Sequence, residues 1–309
     1  MSAHPAIGGI PLVLGGNVFG WTATRDESFA VLDAFHEAGG RMIDTADVYS
    51  AWVEGHQGGE SERVIGEWLE TRGVRGEMLI HTKTGMMGGK ELYEPARVLH
   101  SLDASLERLR TDYLDLYYAH KDYPELPAGD IVEAFDGAVA SGKVREIGAS
   151  NFDAVRLAAA LEAADAAGRT PFTVLQNEYN LVSRGSYGGD LQALCTARGI
   201  AMLPFYGLAS GYLTGKYRTP EDFERGARSG SARAYAEKGA PVLSAMDEVA
   251  AETGASLPAI ALAWLVRQSG IPAPIASART VEQLTDLLEF TRVELSDDQV
   301  ARLSAALPG

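Results

Sequence analysis

The chain of 309 residues is 46% hydrophobic and 22% charged, and its 27 basic and 42 acidic side chains leave a net charge of −15. A chain of this size buries roughly three quarters of its unfolded surface, which excludes general disorder, and at about 150 residues per domain it makes either two domains or one large α/β barrel. The acidity argues against a nucleic-acid partner, because phosphate binding needs clustered Lys and Arg, so any anionic ligand must meet a local positive site. The single cysteine, Cys195, excludes an intramolecular disulfide and suits a reducing compartment. Residues 1–14 lack a charged region followed by a long apolar core. No stretch approaches the roughly 18 apolar residues of a membrane span, so a cytoplasmic protein is expected.

Short apolar, β-prone runs alternate with helical patterns along the whole chain, which is how parallel βα units read. The strands expected in chain order are 12–16, 41–45, 78–83, 114–119, 144–149, 174–178, 201–205 and 273–276. Thr24 with Glu27 makes a capping box ahead of the first helix, which ends at Gly39 and Gly40. Helical spacing follows over 62–71, and from Pro95 through Val98, Leu102, Leu106 and Leu109. Further helices fit 131–140, 153–167, 190–198, 241–253, 258–268 and 281–290, and Ser296 with Gln299 opens a last one. Eight alternations without a linker predict a single (β/α)8 barrel over 1–309, with a short N-terminal plug and an additional C-terminal helix; two α/β domains are the other arrangement open. The stretch 207–240 reads as a long irregular loop covering the mouth of the barrel.

In such a barrel the reactive groups gather where strands end. The second strand ends at Asp44, with Tyr49 soon after; the third ends at Lys83 and the fourth at His120. Ser150 and Asn151 follow the fifth, Gln176 lies in the sixth and Tyr206 follows the seventh. Asp44, Tyr49, Lys83 and His120 form a set able to do acid–base chemistry on a carbonyl. An adjacent ammonium lowers a phenol's pKa, and a carboxylate holds that ammonium charged. Taken singly, each of the four is better read as an ion pair, a rim aromatic or a satisfied histidine; four together at strand ends are not.

The run Gly40-Arg41-Met42-Ile43-Asp44-Thr45-Ala46 with Tyr49, then Gly59-Glu60-Ser61-Glu62, Lys83, Asp115 to His120, Gly142 to Gly148, Gln176-Asn177-Glu178-Tyr179-Asn180 and Arg279 to Leu284 resembles the aldo-keto reductase superfamily over nearly the whole chain. The resemblance implies an NADPH-dependent reductase of aldehydes or ketones, with Tyr49 as general acid and Asp44, Lys83 and His120 completing the tetrad. It implies that Ser150, Asn151 and Gln176 bind the nicotinamide carboxamide, that Tyr206 stacks on the ring, and that Gly16, Asn17 and Val18 approach it with Asp44. Gly207, Leu208, Ala209, Gly211, Leu213 and Lys216 match a pyrophosphate strap. Ser277 and Arg279 match positions facing the adenosine 2′-phosphate, which a guanidinium suits, and Gln283 matches an adenine contact. The family pattern continues with Glu and Asn, whereas this chain has Asp286 and Leu287, so the amide contact at 287 is lost and Asp286 is left to reach the adenine or ribose beside Gln283.

Trp21, Trp52 and Tyr123 lie on loops after strands, where aromatic walls suit a hydrophobic carbonyl substrate. No metal-binding spacing is present, and Ala209 stands where a nucleophile elbow would need serine. Two other functions use the same residues. One is an NADPH-binding regulatory or sensor subunit with little turnover, and the other is a Schiff-base aldolase built on Lys83. Substrate, reaction direction and oligomeric state are not encoded in these motifs.

Overall fold

The computed structural model describes residues 4–224 and 229–307. Eight strands, β1 (Val13–Gly15), β2 (Met42–Asp44), β3 (Leu79–Thr84), β4 (Leu114–Ala119), β5 (Val144–Ser150), β6 (Val174–Gln176), β7 (Ala201–Met202) and β8 (Ile275–Ala276), pair in parallel in the order β7-β6-β5-β4-β3-β2-β1-β8. Two backbone bonds bring the ends of this sheet together. Met202 N–H donates to Gly270 O and Ile275 N–H to Pro204 O, each at 2.8 Å. The result is the expected (β/α)8 barrel.

Helices α1 (Arg25–Glu37), α2 (Glu60–Arg72), α3 (Pro95–Leu109), α4 (Ala128–Ala140), α5 (Ala154–Ala167) and α6 (Gly189–Arg198) each follow one strand. After β7 come α7 (Ser229–Thr253) and α8 (Leu257–Val266), and after β8 come α9 (Val281–Leu288) and α10 (Asp297–Ala305). The capping boxes at Thr24 and Ser296 are both formed, satisfying helix-end N–H groups that would otherwise lack partners. No described helix is long and apolar enough to cross a membrane.

The 207–240 stretch is more ordered than a loop. Residues 209–214 form two turns joined across a left-handed kink, 220–224 a 3-10 turn, 225–228 lie outside the described residues, and α7 starts at Ser229. Pro241 therefore sits inside α7 rather than opening it. The residues ahead of it include several Ala, a Glu and a Lys, which favour helix strongly enough to run through the proline. At the opposite end of the barrel, Ala6 and Ile7 pack on the interior cluster of Val13, Met42, Leu116, Tyr118, Val174, Leu203, Ala273 and Ile275, supplying the N-terminal plug.

Side chains along a strand alternate in and out, so residues two apart share a face. Met42, Tyr118 and Val174 belong to the interior cluster, whereas Ile43, Ile80, Tyr117, Ala119 and Leu175 belong to the outer core between strands and helices. The same alternation carries Asp44, His120 and Gln176 inward, one layer nearer the mouth, and Lys83 joins them from β3.

Close helix packing outside the barrel makes one glycine indispensable. A Cβ at Gly66 in α2 would lie 2.2 Å from Arg108 O in α3, whereas one at Gly137 in α4 would meet nothing within 4 Å. Gly66→Ala should destabilise by about 2–3 kcal/mol through overpacking. Gly137→Ala should stabilise by about 0.5–1 kcal/mol through helix propensity. Urea unfolding of the two variants should give shifts of opposite sign.

Candidate active site

At the C-terminal end of the barrel Lys83 is completely buried. Its ammonium donates to Asp44 Oδ2 at 2.6 Å, to Thr45 O at 2.7 Å and to Tyr49 Oη at 3.3 Å. Gln176 Nε2 donates to the other oxygen of Asp44 at 2.9 Å. The Tyr49 ring stands edge-on to His120, centroids 6.0 Å apart, and to Trp52, 5.8 Å apart. The four residues expected to act together are thus brought together.

Burial works to lower the Lys83 pKa, but the Asp44 carboxylate and the Tyr49 hydroxyl outweigh it and hold the amine above its ordinary range. Lys83 is accordingly an ammonium with all three protons engaged. That state has no lone pair for Schiff-base chemistry, which counts against the aldolase reading. His120 is driven well below the usual imidazole range, first by burial and then by Lys83; it is neutral, and its Nδ1 has no hydrogen-bond partner among the described residues. For Tyr49 the expected lowering does not occur. Lys83 does pull the phenol down, but burial, assisted by Asp44, raises it further, so Tyr49 is held as a protonated hydroxyl.

The segment carrying Tyr49 is fixed by the start of α2. Both carboxylate oxygens of Glu60 accept backbone N–H bonds, from Ser50 (3.1 Å), Gly58 (3.0 Å) and Gln57 (3.1 Å). Ser61 Oγ donates to Gly16 O at 2.7 Å and accepts from Thr45 Oγ1 at 2.8 Å. Glu62, also buried, accepts from Thr82 at 2.6 Å and from Arg108 Nε at 2.6 Å. The Glu-Ser-Glu run therefore ties the ends of three strands to one helix, and Gly59 at its head, with φ of 78°, leaves room for the Arg108 side chain.

Residues 11–308 match the family model described as the aldo/keto reductase family. The chain belongs to the aldo-keto reductase family. It is 34% identical to the norsolorinic acid reductase stcV of Emericella nidulans, over 96% of this chain and 78% of that one. It is 32% identical to the aryl-alcohol dehydrogenase [NADP(+)] of Phanerodontia chrysosporium, over 93% and 77%, and 30% identical to the uncharacterized oxidoreductase YrpG of Bacillus subtilis, over 96% and 92%.

The remaining expected residues of the reductase fall into groups. Ser150 is buried and Asn151 is left-handed, with φ of 61°; Asn151 Nδ2 donates to His120 O and to Ser150 Oγ, both at 3.0 Å. Gly16 and Asn17 sit beside the second and eighth strands, Gly16 N–H donating to Asp44 O at 2.7 Å and Asn17 Oδ1 accepting from Ser277 Oγ at 2.7 Å. Val18 is packed in the outer core. Tyr206 stands 48% exposed at the mouth.

In the segment that follows, Ala209, Ser210 and Gly211 all take positive φ, and Gly207 lies where a Cβ would press on Leu265. Leu208 and Leu213 anchor the segment to the core, and a Cβ at Gly211 would come within 3.1 Å of Lys216 Nζ. Arg279 is exposed and its N–H donates to Gln283 Oε1 at 3.0 Å. Asp286 is exposed, whereas Leu287 is buried in the core.

Trp21 stacks edge-on with Trp52, centroids 5.4 Å apart, so these two and Tyr49 form one aromatic row. Tyr123 does not join it. Buried, it donates to Gly85 O at 2.8 Å and supports the 85–88 turn, which presents Met86 and Met87 as exposed apolar side chains. Sequence reasoning passed over these methionines, whose place after Lys83 was the available signal. It also passed over Tyr235, on the unforeseen first turns of α7, which donates to Glu178 Oε1 at 2.8 Å.

One layer below Lys83, His81 is buried; its Nε2 meets Ala6 O at 3.0 Å, its Nδ1 has no hydrogen-bond partner among the described residues, and burial pushes its pKa down to about 4. Between pH 6.5 and 4 the unfolded chain binds a proton there that the fold does not, so stability falls as pH falls. The loss is about 3 kcal/mol by pH 4. Burial raises the Asp47 carboxyl to about 6, which acts in the opposite sense, its contribution disappearing as pH rises through 6. A comparison isolates the histidine: from pH 6.5 to 4, His81→Gln should lose about 3 kcal/mol less unfolding free energy than wild type in urea titrations. Parallel losses in the two proteins would mean that His81 is charged in the fold.

Proposed function

We propose that this reductase reduces a hydrophobic aldehyde or ketone with NADPH, using Tyr49 as the general acid. The observation that carries the reading is the Tyr49 hydroxyl, 3.3 Å from a buried ammonium and beside a neutral imidazole, at the mouth of the barrel. The dinucleotide supplies the hydride when bound. Tyr49 then protonates the carbonyl oxygen, and its raised pKa is no obstacle, because an alkoxide is far more basic than a phenolate. Lys83 stabilises the phenolate left behind, and Asp44 keeps Lys83 charged. Neutral His120 offers a ring N–H to the same oxygen, where a preoriented donor in a water-poor site is most effective.

The residues present suit a phosphorylated dinucleotide. Lys216, whose Nζ would lie 3.1 Å from a Cβ at Gly211, puts an ammonium beside the left-handed backbone of 209–211, where it would meet the charge of a phosphate. In this reading Tyr206 stacks on the nicotinamide, while Ser150, Asn151 and Gln176 take its carboxamide. Gly16, Asn17 and the backbone of Val18 lie along it. Ser277 and Arg279 would hold the 2′-phosphate, with Gln283 and Asp286 toward the adenine. Trp21, Trp52 and the two methionines wall the substrate side, which favours aromatic carbonyl compounds, in line with the aryl-alcohol dehydrogenase among the relatives. Buried Cys195, a thiol without a partner cysteine, agrees with a cytoplasmic enzyme acting on small molecules.

Tyr49→Phe should lower kcat by about 10²–10⁴-fold while the NADPH dissociation constant, followed by nucleotide fluorescence, stays within about twofold. Near-normal turnover of this variant would remove Tyr49 as the acid. Unaltered NADPH binding by a wild type that gives no product in single turnover with a panel of aldehydes would instead favour the sensor role. Arg279→Ala should weaken NADPH by about 10-fold or more and leave NADH unchanged; equal effects on both would take the 2′-phosphate away from Arg279.

A further inference from the structure

Tyr206 is placed almost entirely by its backbone. Its ring is half exposed and meets Phe205 edge-on at 5.2 Å, so little packing holds it. Its φ of 55° is a conformation that side-chain-bearing residues adopt only when the surroundings insist. Two donors converge on its carbonyl: Ala209 N–H at 2.7 Å, from within the same turn, and Asn180 Nδ2 at 3.0 Å, from the segment after β6.

Asn180 is completely buried. Its Oδ1 accepts from Val182 N–H at 2.9 Å and Ser183 N–H at 2.8 Å, and its own N–H donates to Ser183 O at 2.9 Å. With its oxygen engaged twice in that turn, the amide can present only its NH₂ to Tyr206. A side chain with this demand for both donors and acceptors is specific to Asn among residues of this size.

We infer that Asn180 is a positioning residue for the nicotinamide site, holding the left-handed backbone of Tyr206 so that its ring faces the cofactor. The inference rests on the NADPH reading above and deepens it. Asn180 touches neither cofactor nor substrate and acts only through residue 206.

Asn180→Asp keeps both acceptor bonds in nearly the same volume and removes the donor to Tyr206. NADPH titration by fluorescence is therefore compared across wild type, Asn180→Asp, Tyr206→Ala and the double variant, with thermal melting as a check on folding. The expected result is a rise of about fivefold or more in the NADPH dissociation constant for Asn180→Asp when Tyr206 is present, and less than about twofold when residue 206 is alanine. An unchanged constant in Asn180→Asp, or the same rise in both backgrounds, would overturn the inference. Should Asn180→Asp not fold, the cycle is run with Asn180→Ser on the same two criteria. Failure of the wild type to bind NADPH would overturn the cofactor reading itself, and this inference with it.

Discussion

The ion pair between Lys83 and Asp44 is the constraint from which the rest of the mouth follows. Burying two charges is expensive, and a buried pair is tolerable only when every remaining donor and acceptor is matched. Here the match is complete: three acceptors surround the ammonium, and an amide takes the second carboxylate oxygen. One of those acceptors is the Tyr49 hydroxyl. The same electrostatic demand that keeps Lys83 charged therefore draws a phenol to it, and a burial requirement sets a carboxylate, an ammonium and a hydroxyl side by side.

A second organising element is the end of β6 and the segment after it. Gln176 reaches across the interior to Asp44, Asn177 Nδ2 donates to Phe152 O and Ser186 O, and Tyr179 stacks on Trp264 of α8. Arg184 donates to the carbonyls of Leu303 and Ser304 in α10 and lies over the Trp264 ring. Nine residues thus join the barrel interior, the mouth and the last helix. Polar residues standing close together in sequence there serve contacts distant from one another in space.

The strands and most helix starts were legible because their signals are local: short apolar runs, a capping box at Thr24, a first-turn proline at Pro95. That Asp44, Tyr49, Lys83 and His120 come together was legible because strand ends are a defined place and period-two alternation decides which side chains face inward. What escaped depended on competition between effects. Pro241 is a strong stop signal, yet the helix formers before it prevailed. An ammonium beside Tyr49 points to a lowered phenol pKa, and only the extent of burial reverses the sign. Tyr123 stands on a loop after a strand, but loop position alone does not say whether a side chain faces the opening or packs beneath it, and Tyr123 packs.

The partners of the central ion pair come from β2 and β3, 39 residues apart, and the amide supporting Asp44 lies 132 residues away along the chain. None of these contacts can form within a local fragment, and the desolvation that raises the phenol arises only as the eight strands gather. A partly assembled chain therefore carries an ordinary hydrated lysine, an ordinary aspartate and an ordinary tyrosine. The hydrogen-bonded cluster of lysine, aspartate and tyrosine arrives with closure of the ring of strands, as a property of the finished enclosure rather than of any piece of it.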